Sequence, residues 1–462
     1  MKPFLNWSAV PLGAVLLAAS FSVAFAHTSN QAFVLLLPTD VYIMSGVAAV
    51  ALTIALLAVP GLGRALGNAP SIALGRMPRR GPATLTSLGS LAILTFLIVV
   101  GLFGSRDPLI NPLPLFIWTV WWIGFVMIQA VLGDLWYWVN PWTGLYQLIG
   151  PIRPLVALPK ALGVWPVILL LIGFAAFILA DIAPDDPARL AHLVSFYWLL
   201  TMTGMILCGP AWLRQVELGS VIFSTYSSLA AARLRPNGGI GFPGWRLLER
   251  APMPAGGIFA LTLLAVGSFD GLNETFWWLA KIGINPLAFP GRSAVVWPTL
   301  LGLIGAIIAL IIVFAATVWL GLLLSPGEAT FADVFGRLAL SVLPIALAYH
   351  IAHYLTAFLV NGQYALAALS DPLASGADLL GIQPFYVTTG FFNHIDSVRM
   401  IWLTQAGAVV VGHVRSVLLA HRMVLDLFSE GRRAALATLP LSLFMIAYTM
   451  FGLWLLATPK GA

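Results

Sequence analysis

Residues 348–372 read AYHIAHYLTAFLVNGQYALAALSDP, an apolar run that carries two histidines three positions apart, His350 and His353. The run is apolar enough to cross a bilayer, yet histidine is costly in lipid. Two of them on one segment call for a partner, a ligand or a water-filled cavity. Positions i and i+3 share a helix face, with Cβ atoms about 5–6 Å apart. The pair is therefore able to bind one ion or frame one polar cavity. Which side of the membrane it faces follows from the rest of the chain.

The chain has 462 residues, of which 60% are hydrophobic and 9% charged, and its mean hydropathy is +0.95. A soluble domain carries about 25% charged residues, so the composition is that of an integral membrane protein. The formal net charge of +6 matches basic cytoplasmic loops and does not point to nucleic acid. The single cysteine, Cys208, excludes an intrachain disulfide and a thiolate-rich metal site. No nucleotide-binding loop, internal repeat or soluble domain interrupts the apolar pattern, which argues against coupling to ATP.

The N-terminus reads as a secretory signal: Lys2, then the short apolar core AVPLGAVLLAASFSV, then the A-x-A site Ala24–Ala26. Its core is shorter than the ~20 residues of a span, which favours cleavage over an uncleaved first helix. Cleavage makes His27 the first residue of a mature chain, residues 27–462, that forms a single integral membrane domain. An N-terminal histidine offers its amine and ring together, a chelating pair suited to copper. Ten spans follow, near 41–63, 84–104, 115–139, 163–183, 191–210, 255–269, 297–324, 338–360, 399–421 and 436–456. The expected fold is an all-α polytopic bundle in a bacterial inner membrane, with the mature N-terminus outside.

The basic residues test this orientation. Of the 23 Lys and Arg, fifteen fall in inner loops and six outside, namely Arg106, Arg189, Lys281, Arg292, Arg399 and Lys460, leaving Lys2 in the signal and Arg415 within a helix. Such a bias sets topology in multi-pass proteins. The long inner connection 211–254 contains LRQVELGSVIFSTYSSLAAARLRP, which reads as an amphipathic helix lying on the membrane.

His350 lies thirteen residues beyond Arg337, or ~20 Å along a helix. That depth places His350 and His353 in the outer leaflet, and the NGQ…SDP stretch reads as leaving the bilayer just after them, opening the outer connection 361–398. Carboxylates expected on the same side are Asp40, Asp270, Asp371 and Asp396, with His394 and His27 as further imidazoles. Imidazole with carboxylate suits a divalent metal such as Zn, Mn, Fe or Cu. The candidate catalytic residues are His350, His353, Asp270 and Asp371, and the candidate metal ligands His350, His353, His394 and His27. Histidines that only hydrogen-bond across helices are the competing reading. His413, fourteen residues in from Arg399 and so ~21 Å deep, does not lie level with His350, which disfavours the two as axial haem ligands. In the inner half, Asp134 precedes LWYWVNPW, with His413 and Arg415 as its expected partners in a structural network.

The segments AFA-H, VNPW, SFDGLNET, HIAHYLTAFLVNGQ and GHVRSVLLAH together resemble a bacterial family of polytopic membrane proteins labelled fenitrothion hydrolase, a membrane organophosphate hydrolase built from related subunits. The resemblance implies phosphotriester hydrolysis, an apolar small-molecule substrate and a related membrane subunit as partner. Two other classes stay open on the residues alone: a copper-handling or oxidase-assembly protein using His27 and the H-x-x-H pair, and a small-molecule transporter using Asp134 and His413. Reporter fusions should place the 361–398 connection outside and the Arg64–Arg80 loop inside; the reverse result overturns the topology.

Overall fold

The computed structural model describes residues 34, 36–59, 70–76, 81–150, 153–233, 237–249, 253–288, 291–327, 329–428 and 431–460. The expected signal and His27 lie outside the described residues. Among the described residues, ten helices are long and apolar enough to cross a membrane. They are α1 Thr39–Leu57, α2 Ala83–Phe103, α3 Pro112–Leu132, α4 Lys160–Ala180, α5 Pro187–Cys208, α6 Gly256–Asn273, α7 Arg292–Leu324, α8 Phe331–Ser370, α9 Ile395–Leu425 and α10 Arg432–Ala457. The chain is an all-α polytopic bundle, as its apolar periodicity requires.

Local chemistry sets the helix ends. Asp186 caps α5, its carboxylate accepting from Arg189 N at 2.9 Å, with Pro187 at the first helical position. Thr330 caps α8 in the same way. Gly133, at φ +100°, ends α3 where a side chain would be strained. The third span therefore stops at Leu132, short of the expected 139, and Trp136–Val139 forms a separate short helix. Helix α8 turns at Ser341 and Val342, and its second part runs unbroken from Leu343 to Ser370.

The connections gather at two ends. At one, Arg106 pairs with Asp186 at 2.6 Å, and Arg292 donates to the carbonyls of Ile178 and Asp181. Residues 371–394 belong to this end. At the other, strand β1 (Ser71–Arg76) pairs antiparallel with β3 (Asn237–Gly241), which also pairs with β2 (Ala232–Arg233). Among the described residues of the 211–254 connection, the stretch expected to form one surface helix is divided into Ala211–Gln215, Leu218–Tyr226 and strand β2. Glu217 interrupts it, capping Leu218–Tyr226 by accepting from Gly219 N and Ser220 N. Seven of the nine residues of that helix are buried.

Helix α6 is the axis of the bundle. Of its apolar window 78% is buried, against 22–56% for the other nine spans. It packs on α4, α7 and α8, so every polar group it carries toward them must find a partner there. Elsewhere close packing rests on missing side chains. A Cβ at Gly321 of α7 would collide with the backbone carbonyl of Ala437 in α10, whereas one at Gly305 would meet nothing. Gly321→Ala should therefore cost about 1–3 kcal/mol of stability. Thermal unfolding in detergent should show a lowered midpoint for it and none for Gly305→Ala; equal midpoints would contradict this packing.

Candidate metal centre

Asp270 lies three residues before the end of α6, and the next turn of the chain carries Glu274. The spacing of four puts both carboxylates on one helical face. Across from them, His353 of α8 brings Nε2 to 3.1 Å from Asp270 Oδ2. Tyr354, the following residue, donates its hydroxyl to the same oxygen at 2.6 Å. Lys460, just past α10, approaches Glu274 Oε2 at 3.8 Å. A backbone pairing of Thr275 with Lys460 and a hydrogen bond from Phe276 N to Pro459 O hold the end of α10 against α6.

One ligand atom each from Asp270, Glu274 and His353 lies within 4.8 Å of the other two. Asp270 is buried, His353 half-buried and Glu274 exposed, so the group opens at one edge. Ligands about 2.1 Å from a Zn-sized ion stand about 3.0–3.4 Å apart at right-angled to tetrahedral geometry. The 3.1 Å separation of His353 Nε2 and Asp270 Oδ2 fits that spacing. One imidazole and two carboxylates form a donor set suited to a divalent ion, with positions left for water or substrate. Lys460 and Tyr354 touch the carboxylates from outside the group.

The other expected residues lie apart from it. His350 is buried, but its ring meets Trp122 edge-on at a centroid distance of 5.1 Å and Tyr354 at 4.9 Å. Three helical positions rotate a side chain by about 60° from overlap, enough to aim His350 at α3 and His353 at α6. The stretch expected to leave the bilayer after His353 is helical through Ser370. Gln363 there holds the connection, its amide donating to Thr388 O and its oxygen accepting from Thr388 N. Asp371 turns away into its own loop, accepting from Ser375 N and Gly376 N. His394 precedes α9 and makes no side-chain cap there.

The depth argument about His413 also changes. Because α8 continues to Ser370, His350 lies twenty residues from that end of its helix, close to the eighteen that separate His413 from the start of α9. Tyr349 and His413 accordingly meet, with centroids 6.4 Å apart. His413 binds Val409 O through Nδ1 at 2.8 Å. Asp134 is not joined to it; it lines a cavity with Arg214, Arg233 and Arg246, while the Arg415 guanidinium lies over Phe242 at 4.6 Å.

Beside α3 an apolar cavity of about 430 Å³ is walled by Trp118, Trp121, Phe125, Trp136, Phe174 and Trp198. Trp121 stacks on Trp122, so Trp122, His350 and Tyr354 form a continuous aromatic and imidazole wall between this cavity and Asp270. The wall's α3 portion lies in a π-helix, Leu115–Phe125, a form often found at functional sites.

Comparison of the chain with protein-family models, with curated proteins and with solved structures finds no match.

The amides of Ser375 and Gly376 hold the Asp371 carboxyl below the usual carboxylate range. Its hold on the loop is thus fully present above about pH 4 and lost as pH falls through the lowered value. Asp371→Ala should speed hydrogen exchange at Ser375 and Gly376 while leaving any bound metal unchanged. Metal loss from that variant would place Asp371 in the centre.

Proposed function

We propose that the chain is a membrane-embedded, metal-dependent hydrolase of apolar phosphotriesters, with the ion held by His353, Asp270 and Glu274. The observation that carries this reading is the convergence of three ligand atoms from two helices within 4.8 Å. The resemblance to the fenitrothion hydrolase family supports it, because two of the five segments that carry the resemblance, SFDGLNET and HIAHYLTAFLVNGQ, are those that meet.

A bound divalent ion supplies Lewis acidity and makes a water acidic enough to attack at neutral pH. The chain's own groups do the rest. His353 and the two carboxylates bind and orient. Tyr354 fixes the Asp270 carboxylate through its 2.6 Å hydrogen bond, so that the oxygen keeps one position as charge redistributes. Lys460 sets a cation beside Glu274, where it also attracts negative charge growing on a phosphoryl oxygen. Buried neighbours on α6 keep bulk water from the Asp270 side. An aromatic phosphotriester partitions into the bilayer, and the cavity beside α3 offers such a molecule an apolar, aromatic surface.

Metal handling without turnover is the second reading, since the same three ligands serve it. Purified protein in proteoliposomes should contain about one divalent ion per chain and hydrolyse a lipophilic aryl phosphotriester. Asp270→Asn and His353→Ala should each abolish turnover and lower metal content at least ten-fold while the protein still elutes as one species. Glu274→Gln should weaken metal retention less, in keeping with its exposure. Metal without turnover would favour handling; absence of metal from wild-type protein would remove both readings.

A further inference from the structure

A larger cavity, of about 1070 Å³, opens at the opposite end of the bundle, where the 211–254 connection lies. Three guanidinium groups reach it from three separate pieces of chain. Arg214 comes from the short helix Ala211–Gln215, Arg233 from β2 and Arg246 from the helix Trp245–Glu249. Ser220, Ser224 and Ser228 line the same cavity. Their spacing of four sets three hydroxyls along one face of the segment that carries them. Two carboxylates, Asp134 and Glu249, complete the charged lining, which leaves cations in excess by three to two.

These groups are not equally committed to the fold. Arg246 is anchored, with Nη1 donating to Ser227 O at 2.9 Å. Glu249 accepts from Ser71 Oγ, and Asp134 accepts from Tyr137 N. Arg233 differs: its Nε is enclosed and has no hydrogen-bond partner among the described residues. An enclosed guanidinium nitrogen without an acceptor is costly, and an anion held at the cavity face of the same guanidinium offsets part of that cost by its charge. Guanidinium groups present planar forks that match the oxygens of a phosphate better than any other side chain does. Ser224 and Ser228 donate to Val221 O and Thr225 O, so the serine face supplies acceptor oxygens to a hydroxylated remainder.

We infer that this cavity binds a phosphate-bearing anion, its phosphoryl oxygens on Arg233, Arg214 and Arg246 and its polar remainder on the serine face. The source is either the headgroup of an anionic phospholipid or a soluble phosphate. The inference does not rest on the metal centre, which lies at the other end of α6 and uses none of these residues.

The full chain, purified in detergent, is titrated with inorganic phosphate while its unfolding midpoint is followed, against chloride at equal ionic strength. In parallel it is reconstituted with phosphatidylglycerol or phosphatidylcholine, and retained lipid is counted by native mass spectrometry. A phosphate-specific rise in midpoint identifies a soluble anion; selective retention of phosphatidylglycerol identifies a headgroup. In either case Arg214→Gln combined with Arg233→Gln should weaken binding at least ten-fold, and Arg233→Lys should weaken it by less. If the double variant does not fold, the exposed Arg214→Gln alone carries the test, with a several-fold loss expected. Neither probe binding to wild-type protein, or equal binding to the variants, overturns the inference.

Discussion

A carboxylate buried in the axial helix of a membrane bundle constrains everything around it. Asp270 is 6% exposed, and a carboxylate at that depth is tolerated only with partners that replace its water. Helix α8 provides two, Tyr354 and His353, on consecutive residues. Their position fixes the rotation and height of α8 against α6. Fixing α8 in turn directs His350 toward α3 and Tyr349 toward α9 and α10. Gly452 of α10 has no side chain where the Tyr349 hydroxyl sits, so the packing of three further helices follows from one polar contact.

The two ends of the bundle carry different chemistry. At the end shared by α6, α10 and the 371–394 connection, carboxylates and an imidazole converge on a small volume, with one lysine beside them. At the other, guanidinium groups and hydroxyls surround a wide cavity, and a small sheet ties the first inter-span connection to the 211–254 segment. Between them lies an aromatic mass centred on α3, in which Trp121 and Phe125 pack edge to face with Phe223, Trp122 with Phe174, and Trp136 of the following short helix with Phe125. Such packing in lipid is driven by contact and dispersion, since exclusion from water adds little there. It keeps the polar regions at the two ends apart without a charged residue in the wall.

Much of the fold was legible in residue order because a span needs only length and apolarity, and those are properties of a segment. The ten spans were accessible in that way, and Asp270 and His353 stood out as polar residues that need partners in lipid. Glu274 was also within reach, four residues after Asp270 in SFDGLNET, where helical spacing aligns the two. Lys460 was not, because only the docking of the α10 end on Thr275 and Phe276 brings it there. The break expected after His353 is absent for a related reason. Asn361, Gly362 and Gln363 read as a break, but the helix keeps its own hydrogen bonds through them, and Gln363 uses its side chain to clamp the connection instead.

By itself the sequence determined a multi-pass helical bundle, the residues expensive enough in lipid to need partners, and the angular relation of residues within each helix. Those follow from backbone hydrogen bonding in a medium without water and from the 3.6-residue turn. Tertiary structure alone decided that His353 meets Asp270 while His350 meets Trp122, and that the 211–254 segment folds inward to join a sheet. Relative rotation and sliding of helices are set by side-chain packing between distant segments, and no local pattern along the chain encodes them.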